Sequence, residues 1–225
     1  MYKYPLKFSF SAFAVSPKIQ VRDANGNLIF TVSKKLISSK DEIDAIAGAR
    51  PLFKVMSQEN RITDIPSNWD ITTPDGQTLG VVDDDFITAL DGMKFSDNAA
   101  LSDFIGMQAH RALNLRAVKM YWLKDPAGKQ LGFIAPDHRS LSIEQIPLYQ
   151  ITRQLPFAFR FITPVYVVQL GGKAVMKLKK ERTFFIDTYT LHASDSFSEQ
   201  EERLLIPGIV LTIIYERQRL KDLYS

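Results

Sequence analysis

Residues 204–215 form the longest strongly apolar run in the chain, and both ends of the segment around it carry helix signals. Ser198 with Glu201 fits a capping box, as does Ser196 with Glu199. Glu199, Glu201 and Glu202 put negative charge at the helix start, and Arg217, Arg219 and Lys221 put positive charge at its end. Between them, Leu204, Leu205, Ile206, Ile209, Val210, Leu211, Ile213, Ile214 and Tyr215 leave no polar face. A helix that is apolar all round is enclosed all round. Twelve residues make about 18 Å of helix, short of the roughly 30 Å hydrocarbon core of a bilayer. The segment therefore reads as the plug of a soluble fold rather than a membrane span. Pro207 removes one backbone hydrogen bond and Gly208 follows it, which predicts a kink.

The rest of the chain reads as strands. Asp23-Ala24-Asn25-Gly26, Pro74-Asp75-Gly76, Asp125-Pro126-Ala127-Gly128 and Gly171-Gly172 each separate two β-branched or aromatic runs. Glycine or asparagine at these places permits the positive φ that tight hairpins need. The spacing suggests pseudo-repeated hairpins of one large antiparallel sheet rather than a solenoid. Further strands are expected at 6–13, 52–57 and 183–190, and a weaker helix at 98–113.

Strands can enclose a helix only by closing into a barrel around it, which also removes exposed sheet edges. The expectation is thus an all-β single domain over residues 1–225. It is a closed antiparallel barrel around a central apolar helix at about residues 198–219. With no cysteine, the chain has no disulfide, no thiolate metal site and no cysteine nucleophile. Met1-Tyr2-Lys3-Tyr4-Pro5 leads into a strand pattern without the apolar core of a signal peptide. A cytoplasmic protein, peripheral to membrane at most, is expected. The net charge of +3 is too small to mark a nucleic-acid binder.

Hairpins followed by a C-terminal apolar helix resemble the tubby C-terminal-like fold. Within that superfamily the chain is most similar to the LURP-one-related group, near the phospholipid scramblases. The stretches that carry the likeness are Leu6-Lys7-Phe8-Ser9-Phe10, Pro17-Lys18-Ile19-Gln20-Val21-Arg22-Asp23-Ala24-Asn25-Gly26-Asn27, Phe53-Lys54-Val55 with Arg61-Ile62, and Pro74-Asp75-Gly76-Gln77-Thr78-Leu79-Gly80. The helical segment completes them. The resemblance implies a barrel of about a dozen strands and, in the lipid-binding members, basic side chains on the barrel's outside.

Catalytic signals are missing. His110, His138 and His192 have no ligand spacing, and no nucleophile elbow, phosphate loop or dinucleotide fingerprint occurs. Neither a catalytic residue, a metal nor a cofactor is expected. Asp83-Asp84-Asp85 could offer oxygens to calcium but lacks the EF-hand pattern, and a solvated turn is the preferred reading. Lys173, Lys177, Lys179, Lys180 and Arg182 against Glu181 concentrate positive charge after Gly171-Gly172. Strand alternation puts Lys173, Lys177 and Lys179 on one face, opposite Met176, Leu178 and Lys180. Three ammonium groups there would suit anionic phospholipid headgroups; alternatively, they only solubilise an exposed strand. The expected function is a non-enzymatic binding or regulatory protein at anionic lipid, the alternative being a protein-interaction scaffold with no lipid role.

Overall fold

The computed structural model describes residues 1–11, 18–35, 38–59, 68–87, 118–137, 164–181 and 186–224. Among them are twelve strands and one long helix. The strands are β1 (Leu6–Phe10), β2 (Lys18–Arg22), β3 (Leu28–Lys34), β4 (Glu42–Ala47), β5 (Arg50–Ser57), β6 (Asn68–Thr72), β7 (Thr78–Ile87), β8 (Val118–Lys124), β9 (Gln130–Pro136), β10 (Val165–Leu170), β11 (Lys173–Lys180) and β12 (Thr188–Ala193); the helix is α1 (Glu199–Tyr224). Every strand pairs antiparallel with its neighbour in the chain. The pairing of β1 with β12, Leu6 opposite Leu191, closes the barrel. The expected helix at 98–113 lies outside the described residues, as do 12–13 and 183–185 of two expected strands.

The predicted hairpins form for the reason foreseen. Gly26, Gly76 and Gly128 have φ of 83°, 88° and 81°. In each turn the glycine N–H donates to the carbonyl three residues back, that of Asp23, Thr73 or Asp125. Asp23 and Asp125 use Oδ1 in the same way, each accepting two backbone N–H groups of its own turn. Gly171-Gly172 makes a tighter turn with both φ positive. All these turns lie at one end of the barrel, hereafter the hairpin end.

β12 finishes at the hairpin end, so α1 enters there and runs the length of the barrel. The Ser198–Glu201 capping box is formed in both directions. Glu201 N–H donates to Ser198 Oγ at 3.2 Å, and Ser198 N–H to Glu201 Oε2 at 2.6 Å. Leu204, Leu205, Ile206, Ile209, Val210, Leu211, Ile213 and Ile214 are all buried among inward-facing strand residues such as Phe8, Phe30, Val55, Ile71 and Leu178. The helix continues through Pro207 to Tyr224, beyond the expected end near residue 219. Thr212, fully buried, satisfies its hydroxyl on the Gly208 carbonyl at 2.9 Å.

Two glycines set how closely helix and wall approach. A Cβ at Gly80 of β7 would stand 2.7 Å from Leu204 Cδ1 and 2.4 Å from the Lys124 carbonyl oxygen. One at Gly208 would stand 2.8 Å from Leu123 Cδ2.

Where the helix leaves the barrel, three consecutive residues spread to three sectors of the wall. The Tyr215 hydroxyl donates to Asp41, which also pairs with Lys34 at 3.1 Å. Glu216 accepts from the Tyr121 and Tyr166 hydroxyls, each at 3.0 Å. Arg217 Nε donates to Asp187 at 2.6 Å, and Lys180 stands 3.5 Å from the same carboxylate. The core thus ends in a polar collar.

Candidate anion-binding face

The structure divides the basic hairpin. Lys177 and Lys179 point outward and are exposed, while Met176 and Leu178 are buried. Lys180 is turned inward with 1% exposure and adds nothing to the surface charge. Lys173 does not share the face of Lys177 and Lys179. Opposite β10, Val168 pairs with Met176 but Gln169 pairs with Ala174, so Val175 is an extra residue. That bulge reverses the alternation. Lys173, opposite the inward Leu170, lies at the hairpin tip on the other pleat.

In place of Lys173, barrel closure brings in other cations. One outward row crosses five strands in register: Lys179 of β11, Thr190 of β12, Lys7 of β1, Arg22 of β2 and Leu28 of β3. His192, exposed on β12, lies opposite Lys177. Lys18, exposed on β2, extends the face toward the other end. Local sequence holds the signal only as outward positions of alternating strands. That Lys7 lies beside Thr190 follows from closure and from nothing nearby in the chain.

The electrostatics of this face differ from those of two other sectors. On β3 to β5, Lys35 lies 2.6 Å and Lys54 2.5 Å from Glu42, with Asp44 3.4 Å from Lys35. On β7 and β8, Lys124 lies 2.6 Å from Asp83. Those cations are matched locally, and Lys35 with its neighbours holds the Glu42 carboxyl below its usual range. Among the described residues, Lys7, Lys18 and Lys179 have no carboxylate partner, whereas Lys177 has Asp137 at 3.4 Å. Arg22 is held by uncharged groups, donating to the Gly26 carbonyl at 2.9 Å and to Gln20 Oε1 at 3.2 Å. Lys7 and Arg22 are directly opposed, an arrangement that destabilises a sheet.

Other chemistry is accounted for by the fold. Asp83 and Asp84 lie on β7 rather than in the expected turn. As consecutive strand residues they face opposite ways, Asp83 toward Lys124 outside, so they do not make one ligand cluster. Among the described residues, no group of His, Asp or Glu side chains is placed to hold a metal ion. A hollow of about 610 Å³ lies at the hairpin end beside the start of α1. Its deepest carboxylate, Glu202, accepts from the Tyr2 N–H at 3.0 Å and the Tyr4 hydroxyl at 2.9 Å, which ties the leading segment to the helix. Burial and this carboxylate raise the Tyr4 hydroxyl well above its ordinary pKa, so it stays a donor. No described helix is long and apolar enough to cross a membrane. Compared with known proteins, the chain matches no family model, no curated protein and no solved structure.

Proposed function

We propose that this protein is a non-enzymatic binding protein that attaches to anionic phospholipid surfaces through the outer face of β11, β12, β1 and β2. The observation that carries this reading is the row Lys179–Thr190–Lys7–Arg22, whose cations lack carboxylate partners among the described residues, whereas Lys35, Lys54 and Lys124 on other sectors have them. Neighbouring strands are about 4.8 Å apart, so Lys179 and Lys7, two strands apart, stand roughly 10 Å from each other at the backbone. Such a spread on a convex wall does not converge on one small anion. It suits several headgroups on an extended surface. Kinship with the tubby C-terminal-like and LURP-one-related proteins is part of the same proposal. A closed twelve-strand barrel with an enclosed C-terminal helix supports it at the level of architecture.

Vesicle co-sedimentation tests the reading. The protein should bind phosphatidylserine or phosphoinositide vesicles at low salt and ignore pure phosphatidylcholine. Each lysine near such a surface contributes about 1 kcal/mol. Replacing Lys7 and Lys179 together by Gln should therefore weaken binding by about 2 kcal/mol, roughly thirtyfold. The pair Lys35→Gln and Lys54→Gln, taken from the matched sector, should leave it unchanged. Equal binding by both double variants would reject the face.

A further inference from the structure

The basic row does not end on a charge. Its next register position after Arg22 is Leu28, which is 51% exposed. The reason is a second bulge: Val21 pairs with Phe30 but Arg22 pairs with Leu28, so the alternation reverses at Ile29 and Leu28 points out. Without that bulge, Leu28 would share the inward face of Phe30, which is 1% exposed. Ile46 of β4, opposite the outward Thr31, is 40% exposed in the same half of the barrel. The nearest acid, Asp23, is already engaged by its own turn. Its Oδ1 accepts from the N–H groups of Asn25 and Asn27, and its Oδ2 from the Asn27 side chain. These bonds, with help from Lys3, outweigh its slight desolvation and keep its carboxyl below the usual range.

We infer that Leu28 is the apolar anchor of this face, entering the headgroup–acyl boundary of an anionic bilayer while Arg22 and Lys7 beside it meet the phosphates. The inference rests on the proposed function and narrows it to an orientation. A large apolar side chain flanked by cations is what interfacial attachment uses, since apolar burial and attraction to anionic lipid then act together. Charge complementarity favours a bilayer over a second copy of this chain, whose like face would repel it. The row spans four of twelve strand-to-strand steps, about a third of the circumference. A flat surface cannot touch both ends equally. With Leu28 inserted, the barrel leans toward β3, so Arg22 and Lys7 lie nearest the membrane and Lys179 further off.

The chain has no cysteine, so Leu28→Cys carries a thiol-reactive, polarity-sensitive fluorophore at a single place. Ile186→Cys, 42% exposed at the opposite end, is the control. On phosphatidylserine-containing vesicles the label at 28 should shift to the blue and be quenched by brominated acyl chains. The label at 186 should do neither, and neither should respond to pure phosphatidylcholine. Leu28→Ser should weaken vesicle binding about tenfold with unchanged thermal unfolding, and Lys7→Gln should weaken it more than Lys179→Gln. If the unlabelled protein co-sediments with anionic vesicles while the label at 28 stays in water and Leu28→Ser binds like the parent, insertion is rejected and headgroup binding stands. A shift at 28 on neutral vesicles as well would separate Leu28 from the basic row and reject the inference. If the parent binds no anionic vesicle, both readings fall.

Discussion

Tyr121 of β8 donates its hydroxyl hydrogen to Oε1 of Glu216 at 3.0 Å, with both side chains fully inside the barrel. Tyr166 of β10 occupies the second oxygen at the same distance. A carboxylate is thereby held in the core by two strands of the wall. A hydrogen bond to a charged group is worth about 1.5–3 kcal/mol. Tyr121→Phe and Tyr166→Phe should each lose about that much stability in chemical denaturation. The double variant should lose less or more than the sum, since both bonds end on one carboxylate. Strict additivity would show that Glu216 does not couple them.

Alkaline pH should reveal the same collar. Burial, with Glu216 second, pushes the Tyr121 hydroxyl well above its ordinary pKa of 10.0; Tyr189 and Tyr215 are raised too, mainly by burial. A group whose folded pKa is raised contributes stability that is complete below its unfolded pKa and fades as pH climbs above it. Stability should accordingly be flat up to about pH 9 and fall beyond 10. Tyrosinate absorbance from these residues should appear with unfolding and not before it. Their free titration in the folded protein near pH 10 would contradict the enclosed collar.

At acid pH the sign is opposite. Burial opposes ionisation of Asp187, but the Arg217 hydrogen bond and the charges of Lys180 and Arg217 outweigh it and lower its pKa. Glu42 is lowered by Lys35 and Lys54. Groups depressed in the folded state stabilise it above their unfolded pKa, and the benefit is lost as pH falls through the folded value. The acid limb of the stability curve should therefore flatten in Arg217→Met, below about pH 4. An unchanged limb would mean that the pair does not hold β12 to the helix.

Much of this architecture is legible in the chain. The hairpin glycines announce positive φ, and the capping box announces the helix start. A helix apolar on every side leaves a sequence of strands little choice but to close. The candidate site was legible only in part, because register is a long-range property. Val175 and Ile29 look like any strand residue, yet each bulge reverses which side chains face out, removing Lys173 from the expected face and exposing Leu28. Lys7 joins Lys179 only through the pairing of the first strand with the last. Tyr215 read as apolar filling and Arg217 as a dipole charge; their partners Asp41 and Asp187 are set by the fold.

Leu211→Asp should leave little folded protein. Leu211 has no exposed surface, and truncating a core leucine alone costs about 2–5 kcal/mol before the unpaired charge is counted. That is a large part of the 5–15 kcal/mol typical of a whole domain. Normal yield with a native melting temperature would show that the helix is not enclosed.

Gly132→Ala and Gly208→Ala should separate wall from plug. At Gly132 the new methyl would lie within bond-like range of the Gln169 carbonyl oxygen, a rigid backbone atom of the paired strand. At Gly208 it meets the end of the Leu123 side chain, which can turn aside. Overpacking costs about 1–3 kcal/mol. Gly132→Ala should reach the top of that range and Gly208→Ala the bottom, as read by denaturant midpoints.

The pairing of Leu6 with Leu191 also sets a timetable. During synthesis β1 has nothing to pair with on its outer side until β12 has emerged, and the interior stays open until the helix follows. Until then the chain carries a raw strand edge and an unfilled apolar lumen. Pairings of such sequence separation fold slowly, and unpaired edges recruit other chains. The interval before β12 and the helix emerge is thus the phase in which this topology is most open to aggregation, and faster expression should raise the insoluble fraction.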